Sequence, residues 1–252
     1  MTRALLSLLI LLFATVAHAA GKKPPLLVAG QRPQPALATD GYPYQLFVPR
    51  TAVGSSGRTW PLMIFLHGSG ERGDDINRVK VHGPPKIADR NSDFPFIVIS
   101  PLLPAEQDWD IARLEAILDH AMSTLPVDRS RIYLTGLSRG GHASWRWAAA
   151  NPGRFAAVAP VAGRGDPATA CALKDKPVWA FHGDRDDVVI PEGSFAMVRA
   201  IRACGGNPRL TIYPDLGHNA WDPAYDDPAL YLWFLSQRLD EAEPVTRKRK
   251  AR

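Results

Sequence analysis

Short apolar segments that alternate with stretches of helical periodicity constrain the fold of this chain more than any other feature. Predicted strands lie at residues 44–48, 62–66, 96–100, 131–135, 157–161, 178–181 and 210–213, and predicted helices at 111–123, 140–150, 193–204 and 228–239. Continuous apolar runs such as LMIFL at 62–66 are typical of strands buried on both faces. The alternation predicts an α/β fold with a mostly parallel central sheet flanked by helices on both faces.

Length and composition predict one large domain. The 252 residues are 46% hydrophobic and 22% charged, which excludes disordered, collagen-like and disulfide-dense small proteins. We divide the sequence into a signal peptide at 1–19, an irregular segment at 20–41, one α/β domain at 42–240 and a basic disordered tail at 241–252.

The first 19 residues have the pattern of an export signal. A positive start precedes an apolar run at 4–16, and the small residues of Ala17-His18-Ala19 follow. As a helix, this run would be roughly 20 Å long, which is shorter than a bilayer core of about 30 Å. We therefore expect a secreted or periplasmic protein with no stable membrane insertion after cleavage. An uncleaved membrane anchor is the alternative.

The net charge of +5 does not indicate an acidic partner. Six of the 30 basic residues lie near the chain ends, at Arg3 and within 247–252, which leaves 24 basic residues against 25 acidic ones. The tail has no interleaved aromatic residues for stacking on bases, so we expect no nucleic-acid partner. No His or Cys spacing typical of a metal site occurs, so we expect no metal and no cofactor.

The sequence Gly136-Leu137-Ser138-Arg139-Gly140-Gly141 carries the strongest chemical signal. It follows the predicted strand at 131–135 and opens the predicted helix at 140–150, which is the setting of a G-x-S-x-G nucleophile elbow. Glycines let the strand and helix backbones pass closely, and the helix N-terminus favours negative charge near the serine. Ser138 is therefore the predicted nucleophile.

A serine nucleophile needs a base to take its proton. Of the seven histidines, His218 lies in a late loop after the predicted strand at 210–213, where the chain order Ser-Asp-His places the base. His67 and His182 each directly follow an apolar strand, where an imidazole can fix a loop by bonding the backbone. His218 is therefore the predicted base.

The acid that orients this base is expected in the loop after the predicted strand at 178–181, which offers three aspartates. Asp184 has the position of a turn former, and Asp187 is suited to capping the turn that follows. We predict Asp186 as the orienting acid, with Asp187 as the alternative.

Acyl transfer also needs donors for a developing oxyanion. The elbow supplies the backbone N–H of Arg139. The glycine-rich sequence His67-Gly68-Ser69-Gly70-Glu71-Arg72-Gly73 follows another apolar strand, and the backbone N–H of Ser69 is the predicted second donor. A plain glycine-rich turn is the alternative.

Together, these motifs resemble the α/β-hydrolase superfamily, and within it the small secreted esterases related to the phospholipase/carboxylesterase, dienelactone hydrolase and prolyl oligopeptidase groups. The resembling segments are 66–73, 82–85, 136–141, 182–186 and 217–221. The resemblance implies an α/β-hydrolase fold, with Asp186 as the acid four residues after the histidine of its H-G motif, and Ser69 as an oxyanion donor. Arg139 departs from the Met or Gln that relatives often carry, and its charge is a candidate substrate contact.

The resemblance also implies an open site, because only about a dozen residues separate Gly163 from Pro177, where many relatives insert a lid domain. Trp109, Trp221 and Tyr225 lie in segments predicted as loops beside the site, and we consider them candidates for a substrate pocket. Ordinary packing of large side chains is the alternative.

The two cysteines, Cys171 and Cys204, fall near the same end of neighbouring predicted elements. An oxidising compartment permits a disulfide between them. Two separate thiols are the alternative.

These observations predict a serine hydrolase that cleaves short-chain or exposed carboxylic esters through an acyl-enzyme intermediate. Its substrate would be a small-molecule or polymer ester. The first alternative is a secreted serine peptidase of the prolyl oligopeptidase type that acts on small peptides. The second is a non-catalytic binding module, although such a module has no need of a Ser-Asp-His set.

Overall fold

The computed structural model of the protein describes residues 27–239. In chain order, the strands are β1 (Gly30–Gln34), β2 (Tyr44–Val48), β3 (Trp60–Leu66), β4 (Ile97–Pro101), β5 (Val127–Leu137), β6 (Ala157–Val161), β7 (Trp179–Gly183) and β8 (Arg209–Tyr213). The helices are α1 (Gly83–Arg90), α2 (Ile111–Thr124), α3 (Arg139–Ala150), α4 (Glu192–Ala203), α5 (Trp221–Asp226) and α6 (Pro228–Ser236). Short 3-10 segments occur at Arg50–Ala52, Ile76–Lys80, Pro152–Arg154 and Pro167–Leu173.

The eight strands form one sheet in the order β1-β2-β4-β3-β5-β6-β7-β8. The strands from β3 onward pair in parallel, whereas β1 and β2 form an antiparallel edge. The predicted α/β fold with a mostly parallel sheet is therefore confirmed. The carboxyl ends of β3, β5, β7 and β8 lead into the loops that carry the predicted site residues, as is usual for open α/β sheets.

Strand side chains alternate between two hydrophobic cores, one on each face of the sheet. In β3, Leu62 and Ile64 belong to one core, while Met63 and Phe65 belong to the other. Residues of α2, α3 and α4 complete the first core, and residues of α1, α5 and α6 complete the second. Because both faces are covered, the buried strands β3, β4 and β6 appear in the sequence as largely continuous apolar runs.

The predicted irregular segment at 20–41 is wrong in part, because it contains β1. This strand pairs antiparallel with β2, with Gly30 opposite Val48 and Gln34 opposite Tyr44. The sequence GQRPQ has no apolar pattern, since the strand is held by main-chain pairing at the edge of the sheet, where a proline is tolerated. The sheet therefore begins at residue 30 rather than 42.

Two helices lie in segments for which the sequence predicts no helix. The segment at 82–85 is the start of α1, which has proline in its first turn, where a missing N–H costs no hydrogen bond. Gly83 precedes these prolines with φ +63°, and a Cβ there would lie 2.6 Å from the Phe65 ring. The second helix, α5, begins at Trp221, three residues after His218.

The structure joins Cys171 and Cys204 in a disulfide, with their Cα atoms 5.3 Å apart. Cys171 lies in the 3-10 segment Pro167–Leu173, and Cys204 follows the last residue of α4. The predicted signal peptide at 1–19 and tail at 241–252 lie outside the described residues. Across the described part of the chain, no helix has the length and apolar character needed to cross a membrane.

Candidate active site

Ser138 occupies a sharp turn between the last residue of β5 and the first residue of α3. Its backbone has φ 52° and ψ −116°, a conformation that costs energy in a non-glycine residue and that often marks a functional site. A Cβ on Gly140 would collide with the carbonyl oxygen of Leu66, and one on Gly136 would lie 2.6 Å from the Gly140 oxygen. The small residues around Ser138 are therefore required by the close crossing of strand and helix.

A chain of hydrogen bonds links Ser138, His218 and Asp186. Ser138 Oγ lies 2.9 Å from His218 Nε2, and His218 Nδ1 lies 2.7 Å from Asp186 Oδ2. His218 comes from the loop after β8, and Asp186 from the loop after β7. The structure thus brings together three residues that are far apart in the sequence, in the arrangement that polarises a serine hydroxyl.

The structure distinguishes among the three aspartates of the loop after β7. Asp186 is buried, and its Oδ1 accepts hydrogen bonds from the backbone N–H groups of Val188 and Val189 at 3.0 and 2.9 Å. Asp184 and Asp187 have exposed side chains. Asp186 is therefore held with one oxygen on the loop and the other on His218.

His182 also contacts this carboxylate, at the same oxygen as His218. Its Nε2 lies 3.1 Å from Asp186 Oδ2 and 2.7 Å from the carbonyl oxygen of Val189, and its Nδ1 lies 2.8 Å from Ser194 Oγ. Burial lowers the pKa of His182 below its usual value, which favours the neutral ring. As the sequence predicts, this imidazole bonds the backbone of a loop.

The loop at 67–73, which follows β3, lies against the serine. A Cβ on Gly68 would lie 2.7 Å from Leu137 Cδ1 and 3.4 Å from Ser138 Cβ. Within residues 27–239, the exposed Ser69 donates no hydrogen bond from its backbone N–H. The Arg139 side chain donates from Nε to Ser69 Oγ at 2.8 Å, so both predicted oxyanion residues lie beside Ser138.

A model of the dienelactone hydrolase family matches residues 98–228, more than half of the chain. The match extends from β4 to the first residue of α6 and includes Ser138, Asp186 and His218. This chain belongs to the dienelactone hydrolase family. The family is one of hydrolases, and the resemblance to the α/β-hydrolase superfamily is confirmed.

Curated proteins are similar to this chain over part of their length. A Salmonella typhimurium protein that carries the provisional name carboxymethylenebutenolidase is 30% identical over 115 residues, which cover 41% of this chain and 43% of the relative. The chain thus matches less than half the length of this curated relative.

Solved structures show the same architecture. A thermostable esterase superposes with a TM-score of 0.71 at 28% identity, over 82% of this chain and 62% of that structure. A provisionally named dienelactone hydrolase from Klebsiella pneumoniae superposes with a TM-score of 0.61 at 19% identity, over 83% of this chain and 98% of the other. The second likeness shows the fold alone.

Two of the three aromatic residues considered for the substrate pocket are core residues instead. Trp109 is 2% exposed and makes edge contacts with Tyr42 and His67. Tyr225 is also 2% exposed, and its hydroxyl lies 2.9 Å from Thr135 Oγ1. The pocket prediction is wrong for both residues, because their large apolar surfaces are removed from water inside the domain.

Trp221 lies on α5 rather than on a loop, and its ring packs edge-on against the His218 ring with centroids 5.0 Å apart. The ring is half-buried and also contacts His82, with centroids 5.6 Å apart. Trp221 therefore adjoins the predicted base.

A cleft of about 630 Å³ lies along α3, the helix that follows Ser138. His142, whose N–H donates to the Ser138 carbonyl oxygen at 2.9 Å, lies on its wall. The other lining residues are Asp108, Arg146, Ala149, Ala150, Arg164, Gly165, Asp166 and Thr169. Burial, helped by the positive charges of Arg164 and Arg139, lowers the pKa of His142 to about 4. The wall therefore combines a neutral imidazole with charged groups of both signs.

Sequence reasoning missed two acidic residues beside the site. Glu71 Oε2 accepts the backbone N–H of Gly68 at 2.9 Å, and Asp108 lies 3.3 Å from the Arg139 guanidinium. For Glu71, its position four residues after His67 in the glycine-rich loop was the sequence signal that could have identified it. No sequence signal identified Asp108, because its contact with Arg139 joins segments that are distant in the chain. Among the described residues, no group of His, Cys, Asp and Glu side chains is arranged to hold a metal ion.

Proposed function

We propose that this protein is a serine hydrolase that cleaves short-chain or exposed carboxylic esters through an acyl-enzyme intermediate. The observation that carries the proposal is the continuous chain of hydrogen bonds from Ser138 Oγ through His218 to Asp186 Oδ2, at 2.9 and 2.7 Å. Membership of the dienelactone hydrolase family supports the same type of reaction.

In the proposed reaction, Ser138 Oγ attacks the ester carbonyl while His218 Nε2 takes the hydroxyl proton. His218 then returns that proton to the departing alcohol, and the acyl group remains on Ser138. A water molecule, deprotonated by His218, attacks the acyl-enzyme, and Ser138 recovers its proton as the acid leaves. Asp186 accepts from His218 Nδ1 throughout, which keeps Nε2 free as the base and stabilises the imidazolium.

The tetrahedral intermediate needs donors for its negative oxygen, and we assign this role to the backbone N–H groups of Ser69 and Arg139. Their position supports the assignment, because the Gly68 backbone lies against Ser138 and Arg139 follows the serine directly. The first turn of α3 adds a favourable dipole at this point.

The surroundings of Ser138 favour exposed esters over long acyl chains. The connection from β6 to β7 contains only the 3-10 segment Pro167–Leu173, so no inserted domain covers the site within the described chain. The neighbouring cleft is lined by Asp108, Arg146, Arg164 and Asp166 among others. A small-molecule ester or the exposed ester groups of a polymer would fit such an uncovered site.

Hydrolysis of p-nitrophenyl esters from acetate to palmitate, with Ser138→Ala as the inactive variant, tests the proposal. We expect turnover of the short esters that disappears in the variant, and labelling of wild-type Ser138 by a fluorophosphonate. Ser123→Ala, at an exposed position on α2, is the matched control and should keep full activity. Faster cleavage of peptide p-nitroanilides than of esters would favour a peptidase, and no turnover with no labelling would overturn the proposal.

We also propose that the protein acts outside the cytoplasm. The export pattern at 1–19 and the disulfide between Cys171 and Cys204 support this location. Fractionation of cells that make the protein, with sequencing of its N-terminus, is the test. We expect an exported chain that begins near Ala20, and a cytoplasmic chain with an intact N-terminus would contradict the proposal.

A further inference from the structure

The peptide between Gly68 and Ser69 carries the predicted oxyanion N–H at one end and the Gly68 carbonyl at the other. His67 Nδ1 lies 2.7 Å from that carbonyl oxygen. His67 Nε2 accepts the backbone N–H of Leu103 at 3.0 Å and therefore carries no proton. In the neutral ring, the proton must then reside on Nδ1, which donates it to the Gly68 carbonyl.

The direction of this carbonyl determines the direction of the Ser69 N–H. In a planar trans peptide, the C=O and N–H bonds point to opposite sides. A carbonyl held toward His67 therefore turns the Ser69 N–H away from His67. Gly68 lies close to Ser138, since a Cβ on Gly68 would be 3.4 Å from Ser138 Cβ, and the Ser69 N–H has no acceptor within residues 27–239.

The preceding peptide is held as well. Glu71 Oε2 accepts the Gly68 N–H at 2.9 Å and lies 3.8 Å from His67 Nδ1. Two successive peptides on either side of Gly68 are thus bonded to side chains that are 1% and 12% exposed, those of His67 and Glu71. Burial lowers the pKa of His67 to about 4, so the ring stays neutral near pH 7.

We propose that His67 is a positioning residue for the oxyanion hole, in which its Nδ1–H holds the Gly68 carbonyl and so directs the Ser69 N–H toward the reacting carbonyl oxygen. This inference rests on the proposed ester hydrolysis. A role in packing alone is the competing explanation, since His67 also contacts the Trp109 ring with centroids 5.1 Å apart.

Substitution of His67 by Asn or by Gln distinguishes the roles of its two ring nitrogens. The Asn side chain of His67→Asn places an N–H close to the position of Nδ1 and can still donate to the Gly68 carbonyl. The Gln side chain of His67→Gln reaches the position of Nε2, where its oxygen can accept from Leu103 N–H, but it leaves the Gly68 carbonyl without a donor. Both remove the ring and its contact with Trp109, so packing alone predicts similar effects.

We expect His67→Gln to lower kcat for p-nitrophenyl acetate by about 100-fold with KM changed by less than about threefold, because an oxyanion donor acts only in the transition state. His67→Asn should stay within about tenfold of wild type. His120→Gln, at an exposed position on α2, is the matched control and should match wild type. Equal losses in the two His67 variants, or a loss confined to KM, would overturn the inference.

The tautomer of His67 can be measured in the wild-type protein, so this test does not depend on whether a variant folds. Nitrogen-15 chemical shifts of the histidine side chains in the wild-type protein should show a neutral His67 with its proton on Nδ1 from pH 6 to 8. A proton on Nε2 would overturn the inference even if ester hydrolysis is established. A wild-type protein that neither hydrolyses esters nor reacts with a fluorophosphonate would instead overturn the proposed function, and the inference with it.

Discussion

Arg139 Nε donates a hydrogen bond to Ser69 Oγ at 2.8 Å, so the two residues whose backbone N–H groups we assign to the oxyanion hole are joined through their side chains. The same guanidinium lies 3.3 Å from Asp108 Oδ1. The loop after β3 and the start of α3 are therefore connected by a charged side chain directly after the predicted nucleophile.

Replacing this side chain should weaken the site without removing its chemistry. We expect Arg139→Gln to lower kcat/KM for short p-nitrophenyl esters by about 3- to 10-fold, because the backbone N–H remains while the bonds to Ser69 and Asp108 are lost. Steady-state kinetics beside Ser138→Ala would measure this difference. A loss above 100-fold that appears in KM would mean that the guanidinium binds substrate directly.

The neighbouring residues Asp186 and Asp187 allow a matched pair of variants that tests which of them orients His218. Asp186→Asn should lower kcat by about 10³- to 10⁴-fold, because a neutral amide no longer stabilises the imidazolium and can favour the wrong tautomer of His218. Asp187→Asn, at an exposed position, should stay within about twofold of wild type. Similar losses in both variants would contradict the assignment of Asp186.

Stability should decline as the pH falls from about 6.5 toward 4. Burial lowers the pKa values of His67 and His142 to about 4 in the folded protein, whereas an unfolded histidine titrates near 6.5. Between these values the unfolded state binds more protons, so the stabilisation is complete above pH 6.5 and is lost as the pH approaches 4. For the deeply buried His67 the difference is about 3 kcal/mol, and the more exposed His142 contributes less.

Urea unfolding at pH 7.5, 5.5 and 4.5 measures this dependence. His67→Asn should reduce the slope of the unfolding free energy against pH by the equivalent of up to one bound proton. His120→Gln should leave this slope unchanged. An unfolding free energy that does not vary over this range would contradict the lowered pKa values.

Loss of the disulfide should destabilise the domain and leave ester hydrolysis intact. The bridge closes a loop of 33 residues, for which the chain-entropy model gives about 3–4 kcal/mol. We expect Cys171→Ser/Cys204→Ser to have a lower Tm and unchanged kcat at 25 °C. A reductant should lower the Tm of the wild-type protein but not that of the double variant. Equal Tm values for the oxidised wild type and the double variant would show that the bridge adds no stability.

Much of the fold follows from local sequence because the central strands are buried on both faces. Their apolar runs predicted β2 and β6 at the observed bounds and the other central strands to within a few residues. The edge strand β1 has no such pattern, since main-chain pairing with β2 forms it. The sequence did not predict helix α1, because it begins with glycine and two prolines, or helix α5, because it has only six residues.

The sequence by itself determined the nucleophile elbow, because the strand, the small residues and the helix start that shape it are contiguous around Ser138. It also determined the H-G position of His67, where an imidazole was expected to bond the backbone. Only the tertiary structure decided that Asp186 rather than Asp187 reaches His218, that Trp109 and Tyr225 face the cores, and that Arg139 bonds Ser69. These choices depend on the direction in which each side chain leaves the backbone, and that direction is set by contacts between segments far apart in the chain.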